Sequence, residues 1–206
     1  MARNPSRPRD KNFAKIMSAA REEFALRGLN GARMQAIADR AGLPKANVHY
    51  YFRNKVSLYV AALNSIMEKW NDFFDGTTDE DDPTETLDLF IREKVRLAFE
   101  DPSASKLFAT EIIQGAPYIS NYLEEVMRPW VNERAKVIQS WMDAGKMPRS
   151  DPVLLIFMIW ASTQHYADFQ VQVLRIMDRP DYDENLVSQI SDFISETILR
   201  GCGLIN

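Results

Sequence analysis

The sequence predicts an all-α fold of about nine helices. A small N-terminal head of three short helices, a helix-turn-helix, precedes a larger C-terminal helical bundle. Three features predict this. Apolar residues recur at spacings of three and four through most of the 206 residues. No stretch alternates apolar and polar residues as a half-buried strand would. Glycine and proline fall between the periodic stretches, where helices stop and start.

The elements follow in order. Residues 11–27 place Phe13, Ile16, Met17, Ala20 and Phe24 on one face, and Gly28 stops the helix. Residues 33–41 carry Met34, Ile37, Ala38 and Ala41 on a second short face that ends at Gly42. Pro44 suits the first turn of a third helix reaching about Tyr51, because its missing N–H would have no partner there. Asn54 can cap a fourth helix over 55–74. Residues 75–83, DGTTDEDDP, read as a solvated acidic linker. The run lacks the D-x-D-x-D-G spacing of a calcium loop. Helices resume over 84–99, 103–114 and 118–144, the last bent or broken near Pro129. Two more cover 152–174 and 183–200.

Charge divides the chain unevenly. Its net charge is −4. Residues 1–55 nevertheless hold twelve Lys/Arg against four Asp/Glu, a net +8, so the remaining 151 residues carry −12. A basic head on an acidic body fits a nucleic-acid reader joined to a second module, with the boundary near residue 55. A basic tail arising by chance is the plainer alternative.

Composition narrows the function classes. Two histidines and one cysteine, Cys202, are too few for a multi-Cys metal site or a disulfide scaffold. No metal or cofactor is expected. The longest apolar run, 153–161, is nine residues, against ~20 for a membrane span. The N-terminal Arg3, Arg7 and Arg9 precede no apolar stretch, so no secretory signal is read and a cytoplasmic location is expected. A phosphate-cradling Gly-rich loop, GxSxG and HExxH are all absent. His165 with Asp168 could form a dyad, but no nucleophile accompanies it, which disfavours an enzyme.

Residues 31–55, GARMQAIADRAGLPKANVHYYFRNK, carry the recognition chemistry. Two short helices meeting at Gly42 form a helix-turn-helix, whose second helix can enter a major groove. Ala36, Ile37, Ala38 and Ala41 allow close packing, and Leu43 and Val48 can bury beneath the second helix. Lys45, Ala46 and Asn47 then occupy its exposed first turn. Asn47 can pair with adenine, and Lys45 can reach guanine or phosphate. His49, Tyr50 and Tyr51 offer donors to phosphate, while Phe52 reads as core. Lys55 sits at a helix start, where an anion is favoured.

The pattern IAxxAGLxxxxVxYYFxNKxxL, Ile37 to Leu58, resembles the DNA-binding domain of the TetR family of bacterial repressors. The likeness covers roughly residues 11–60. It implies operator contacts by Arg33, Gln35, Lys45, Ala46, Asn47, His49, Tyr50, Tyr51 and Lys55. Many relatives have Ser or Thr where this chain has Pro44, which can start a helix but offers no side-chain acceptor. The runs LIFMIWASTQHYADF (Leu155 to Phe169) and LFATEIIQGAP (Leu107 to Pro117) are similar to the pyrimidine-utilisation branch of the family. That branch implies a response to uracil or a related pyrimidine.

The residues give a second reason to look there. Trp160, Gln164 and Asp168 are four apart and share one helix stripe. An aromatic plate beside an amide suits a planar ring with a lactam edge. A Trp on an apolar helix face is, however, more often core. The resemblance makes Trp70, Trp160 and Gln164 ligand contacts, with Gln114, Thr163 and Asp168 as additions. Trp130, Trp141 and His165 read as core or interface.

The expected whole is a ligand-responsive repressor that binds double-stranded operator DNA as a homodimer. The final helices, 155–174 and 186–199, carry enough apolar surface to pair with their copies in a four-helix bundle. A regulator of another effector, or an activator on the same scaffold, is the alternative, because the sign of regulation depends on where the operator lies.

Overall fold

The computed structural model describes residues 8–71 and 74–206. Arg3, Arg7 and the final turn expected for the fourth helix at 72 and 73 lie outside the described residues. Every regular element among the described residues is helical: α1 (Pro8–Gly31), α2 (Met34–Ala41), α3 (Lys45–Tyr51), α4 (Lys55–Asn71), α5 (Pro83–Glu100), α6 (Pro102–Ile113), α7 (Ser120–Tyr122), α8 (Arg128–Asp143), α9 (Pro152–Asp168), α10 (Gln170–Ile176) and α11 (Glu184–Gly201). A π-helical turn, Leu123–Met127, joins α7 to α8.

The caps follow from the sequence. Gly28 leaves helical geometry at φ 62°, ψ 175°, and one further turn then completes α1. Gly42 takes the left-handed conformation, φ 65°, that closes α2. Asp82, Asp151 and Asp183 each accept from backbone N–H groups at the start of α5, α9 and α11. Asn54 and Ser57 bond reciprocally at the start of α4: the Ser57 N–H donates to Asn54 Oδ1 at 2.8 Å, and the Asn54 N–H to Ser57 Oγ at 3.3 Å.

Two helix boundaries differ from the sequence reading. The irregularity expected at Pro129 lies one turn earlier. Pro129 has no N–H to give, and the Arg128 N–H reaches back to the Leu123 carbonyl, five residues away. The helix expected over 152–174 is two. Phe169, at φ −107° and ψ 27°, ends α9 and begins α10. Apolar periodicity continues through it, so the pattern gave no sign of the break.

The chain forms two compact units. The first holds the residues up to Glu68 together with Lys106–Ile119, and the second holds Lys69–Ser105 with Ser120–Asn206. The first therefore extends past residue 55, where the charge changes. Phe24 of α1 meets Tyr59 of α4 edge-on at 5.0 Å, and Ile16 of α1, Ile37 of α2, Val48 of α3 and Leu58, Ala62 and Leu63 of α4 are all buried. Each such large apolar side chain contributes about 1.5–3 kcal/mol by leaving water.

The second unit is built on α5, which packs on α9 and α11, while α8 packs on α9. Phe90, Ile91, Trp141, Ile156, Ile159 and Ile190 belong to its core. The acidic linker is tied down rather than loose. The Arg134 guanidinium donates to the Phe74, Asp75 and Thr77 carbonyls at 2.7, 3.0 and 3.1 Å. The Lys146 ammonium donates to the Asp79 carbonyl at 2.6 Å.

Candidate functional site

The first unit presents a reading helix. α3 starts from Pro44, whose carbonyl accepts the Asn47 N–H at 2.9 Å, so no side-chain cap is needed. Val48 is fully buried and Leu43 half-buried, which fixes α3 on α2. Lys45, Ala46 and His49 are left exposed and Asn47 half-exposed. Arg33, at the N-cap of α2, is exposed, and Gln35 is held by a 2.7 Å bond to Asp39.

The two tyrosines differ. Tyr50 is 72% exposed. Tyr51 donates its phenol O–H to the Arg9 carbonyl at 3.0 Å and meets Phe13 edge-on at 5.9 Å. A phosphate contact by Tyr51 as donor would replace that bond. Lys55 spends two of its three N–H groups on the Asn30 and Ala32 carbonyls, at 3.1 and 2.9 Å, closing the α1–α2 connection. One N–H remains for an anion. Phe52 is buried and stacks on Phe13, as a core residue should.

A buried polar knot braces this unit. Glu111 is 0% exposed. It accepts the Tyr59 O–H at 2.8 Å on one oxygen and the Tyr118 N–H at 2.7 Å on the other. Phe24 meets the Tyr59 ring edge-on at 5.0 Å. Burial, reinforced by the Glu111 carboxylate, holds the Tyr59 phenol far above its ordinary pKa, so it stays a donor. α4, α6 and the turn after α6 thus meet at one carboxylate that the sequence reading passed over, with Phe24 of α1 packed on the Tyr59 ring.

The second unit holds five of the six expected ligand contacts; Gln114 is in the first, exposed in the turn after α6. Trp160 is half-buried and stacks on Trp130 at 6.2 Å, with Phe157 5.6 Å away. Thr163 is buried and donates to the Ile159 carbonyl at 2.7 Å. Gln164 and Asp168 are half-buried one turn apart. Asp168 accepts the Ser105 hydroxyl at 2.5 Å. Trp70 is buried, and the Lys94 ammonium lies 4.5 Å from its ring centre.

Lys94 was missed by the sequence reading. It is 6% exposed on α5. Burial pushes its ammonium down to about 7, opposed by the nearby Asp168 carboxylate. Its position could have been found, because Leu87, Ile91, Lys94 and Ala98 form one buried stripe at helical spacing.

The same unit exposes an apolar face. Leu154, Phe157 and Met158 of α9 and Phe193 of α11 are all large and exposed, Phe193 at 65%. Met158, His165, Phe193 and Thr197 border a shallow cleft of about 350 Å³ there. His165 stacks on Phe169 at 5.1 Å.

Comparison with known proteins decides the family. Residues 16–62 match the model of bacterial regulatory proteins of the tetR family, and residues 63–205 match the C-terminal region of YcdC-like proteins. The chain belongs to the TetR family. The HTH-type transcriptional regulator RutR of Escherichia coli K12 is 36% identical over 90% of this chain and 88% of its own. The HTH-type transcriptional activator FasR of Mycolicibacterium smegmatis is 43% identical over 56 residues, 27% of this chain and 26% of its own. Among solved structures, FadR of Bacillus subtilis in complex with stearoyl-CoA has a TM-score of 0.64 at 20% identity, over 94% of this chain and 100% of that one. A TetR-like regulator from Rhodococcus sp. RHA1 has a TM-score of 0.66 at 17% identity, over 98% and 99%. These two likenesses concern the TetR fold alone. The chain is therefore a helix-turn-helix transcriptional regulator of the TetR type, and not an enzyme.

Proposed function

We propose that this regulator is a cytoplasmic homodimer that represses transcription from its operator and releases it on binding a pyrimidine such as uracil. The pyrimidine assignment is carried by one observation. The stretches that resemble the pyrimidine-utilisation branch lie within a 36% identity to RutR that spans 90% of the chain. Operator contact is assigned to Arg33, Gln35, Lys45, Ala46, Asn47, His49, Tyr50, Tyr51 and Lys55. Effector contact is assigned to Trp70, Trp160 and Gln164, with Thr163 and Asp168 beside them in the same unit and Gln114 as an outlying addition.

The dimer reading is supported by the large apolar side chains that α9 and α11 expose on one face, Leu154, Phe157, Met158 and Phe193. One reading helix spans too few base pairs for useful specificity, and a two-fold dimer reads two half-sites. A ligand then acts by preferring one dimer geometry. The preference is typically worth about 1–3 kcal/mol of coupling.

The Phe193→Glu variant tests this. It places a carboxylate in the centre of the proposed interface. Sedimentation is expected to show a monomer at micromolar concentration, and operator affinity is expected to fall at least about 100-fold. A dimer of unchanged stability would refute the assigned interface.

A further inference from the structure

The second unit carries a groove apart from the effector contacts. Arg92, Arg96 and Phe99 recur on α5 at spacings of four and three. That stripe is distinct from Leu87, Ile91, Lys94 and Ala98, which face the core. With Tyr182, Glu184 and Ser191 they line a groove of about 640 Å³ where α5 packs on α11. The volume is that of a small-molecule site. Ser191 and Phe193 are two residues apart, so they lie on nearly opposite sides of α11. The groove therefore does not share the proposed dimer face.

The groove is acidic although two arginines line it. Arg92 is held by Asp88 at 2.8 Å and by Asp192 at 2.6 Å. Arg96 is held by Glu93 at 2.5 Å and by Glu100 at 2.6 Å. Each guanidinium thus answers to two carboxylates. Asp181 and Glu184, which also line the groove, have no ion pair among the described residues. The balance is negative, which repels an anion and attracts a cation.

The walls suit an apolar stem. Phe99 and Tyr182 meet edge-on with ring centres 4.6 Å apart. The Tyr182 hydroxyl is committed to the Tyr166 carbonyl at 2.8 Å, so both residues offer rings, which also attract a cation. Val187 lines the same groove. The Ser191 hydroxyl points to a ligand more directly. Ser191 is 9% exposed, lines the groove and has no hydrogen-bond partner among the described residues. A buried hydroxyl is ordinarily partnered. Glu184 and Ser191 are two turns apart on α11, about 10 Å at ~1.5 Å per residue.

We propose that this groove binds an aliphatic polyamine. One ammonium lies at Asp181 and Glu184, the carbon chain runs along Phe99, Tyr182 and Val187, and a second nitrogen donates to the Ser191 hydroxyl. The span fits a triamine of spermidine length, and a four-carbon diamine such as putrescine is too short to reach both ends.

Titration calorimetry of the full chain at low salt, with spermidine and with putrescine, tests the proposal. Wild type is expected to bind one spermidine per chain, at least tenfold more tightly than putrescine. S191A is expected to lose about tenfold in spermidine affinity, as for a hydrogen bond to a charged group. D181N/E184Q is expected to lose at least about tenfold. E124Q/E125Q removes the same charge at exposed positions outside the groove and is expected to bind as wild type does. Circular dichroism melts check that each variant is folded. Wild type that binds no spermidine, or binds both amines equally, overturns the proposal. So does wild-type affinity in both groove variants. An equal loss in E124Q/E125Q and D181N/E184Q overturns it too, because the attraction is then to the acidic surface at large.

Discussion

Glu111→Ala is expected to destabilise the protein by about 3–5 kcal/mol. The substitution removes the acceptor for the Tyr59 O–H and the Tyr118 N–H, which bond to it at 2.8 and 2.7 Å. Tyr59 is buried, so its O–H then stays without a partner at about 1–3 kcal/mol; the Tyr118 N–H, in a residue 41% exposed, loses less, and the cavity left by the side chain adds to the cost. For a chain of this size each kcal/mol moves the unfolding midpoint by roughly 2–4 °C, so a fall of about 10 °C is expected by circular dichroism. Tyr59→Phe is expected to cost less, because it removes one donor and leaves Glu111 its bond from Tyr118. The two substitutions share a bond, so their effects are expected to be less than additive. A Glu111→Ala protein that melts with the wild type would show that the knot does not brace the reading head.

Lys94→Met is expected to act in the opposite direction. Burial lowers the Lys94 ammonium to about 7, whereas the unfolded chain titrates near the ordinary lysine value of ~10.4. Below pH 7 the group is charged in both states, and the full cost of burying it is present. Between pH 7 and about 10 the unfolded chain holds the proton and the folded chain does not, so this group makes stability rise with pH. The cost at and below neutrality is on the order of 3–5 kcal/mol. Lys94→Met removes it and keeps the volume of the stem over Trp70. A midpoint at least about 5 °C above wild type is expected at pH 6. The gap is expected to shrink by roughly 2 kcal/mol between pH 7 and pH 9 in denaturant titrations. A constant gap across that range would mean that Lys94 does not titrate there.

The two residues with the largest expected effects are the ones the sequence reading passed over, and for the same reason. Both are charges placed in phase with an apolar helix face. Lys94 follows Leu87 and Ile91 on α5, and Glu111 follows Leu107 on α6 at a spacing of four. Periodicity locates a buried face, but a charge on it reads as an interruption until its partner is known. Glu111 is matched by Tyr59, 52 residues away, and no local pattern links them.

The reading head was far more legible. Gly28, Gly42, Pro44 and Asn54 each impose a local backbone outcome that needs no distant partner. The exposed first turn of α3 followed from those boundaries. Lys55 and Tyr51 were placed correctly on their helices, but their engagement with backbone carbonyls of α1 and the α1–α2 connection is a tertiary fact. In the second unit the stripe Trp160, Gln164, Asp168 was visible from spacing alone. That Trp160 stacks on Trp130, and that Asp168 meets Ser105, depended on how α9 packs against the rest of its unit.

The central claim is that a pyrimidine is the effector, and a thermal-shift titration of the purified chain tests it most directly. The panel is uracil, thymine, cytosine, their dihydro forms and unrelated planar acids. A ligand at 100 times its Kd adds ~2.7 kcal/mol to apparent stability. The account predicts a shift of several degrees with uracil, little or none with the planar acids, and loss of the uracil shift in Gln164→Ala. No shift with any pyrimidine, in a protein that still binds DNA, would contradict it.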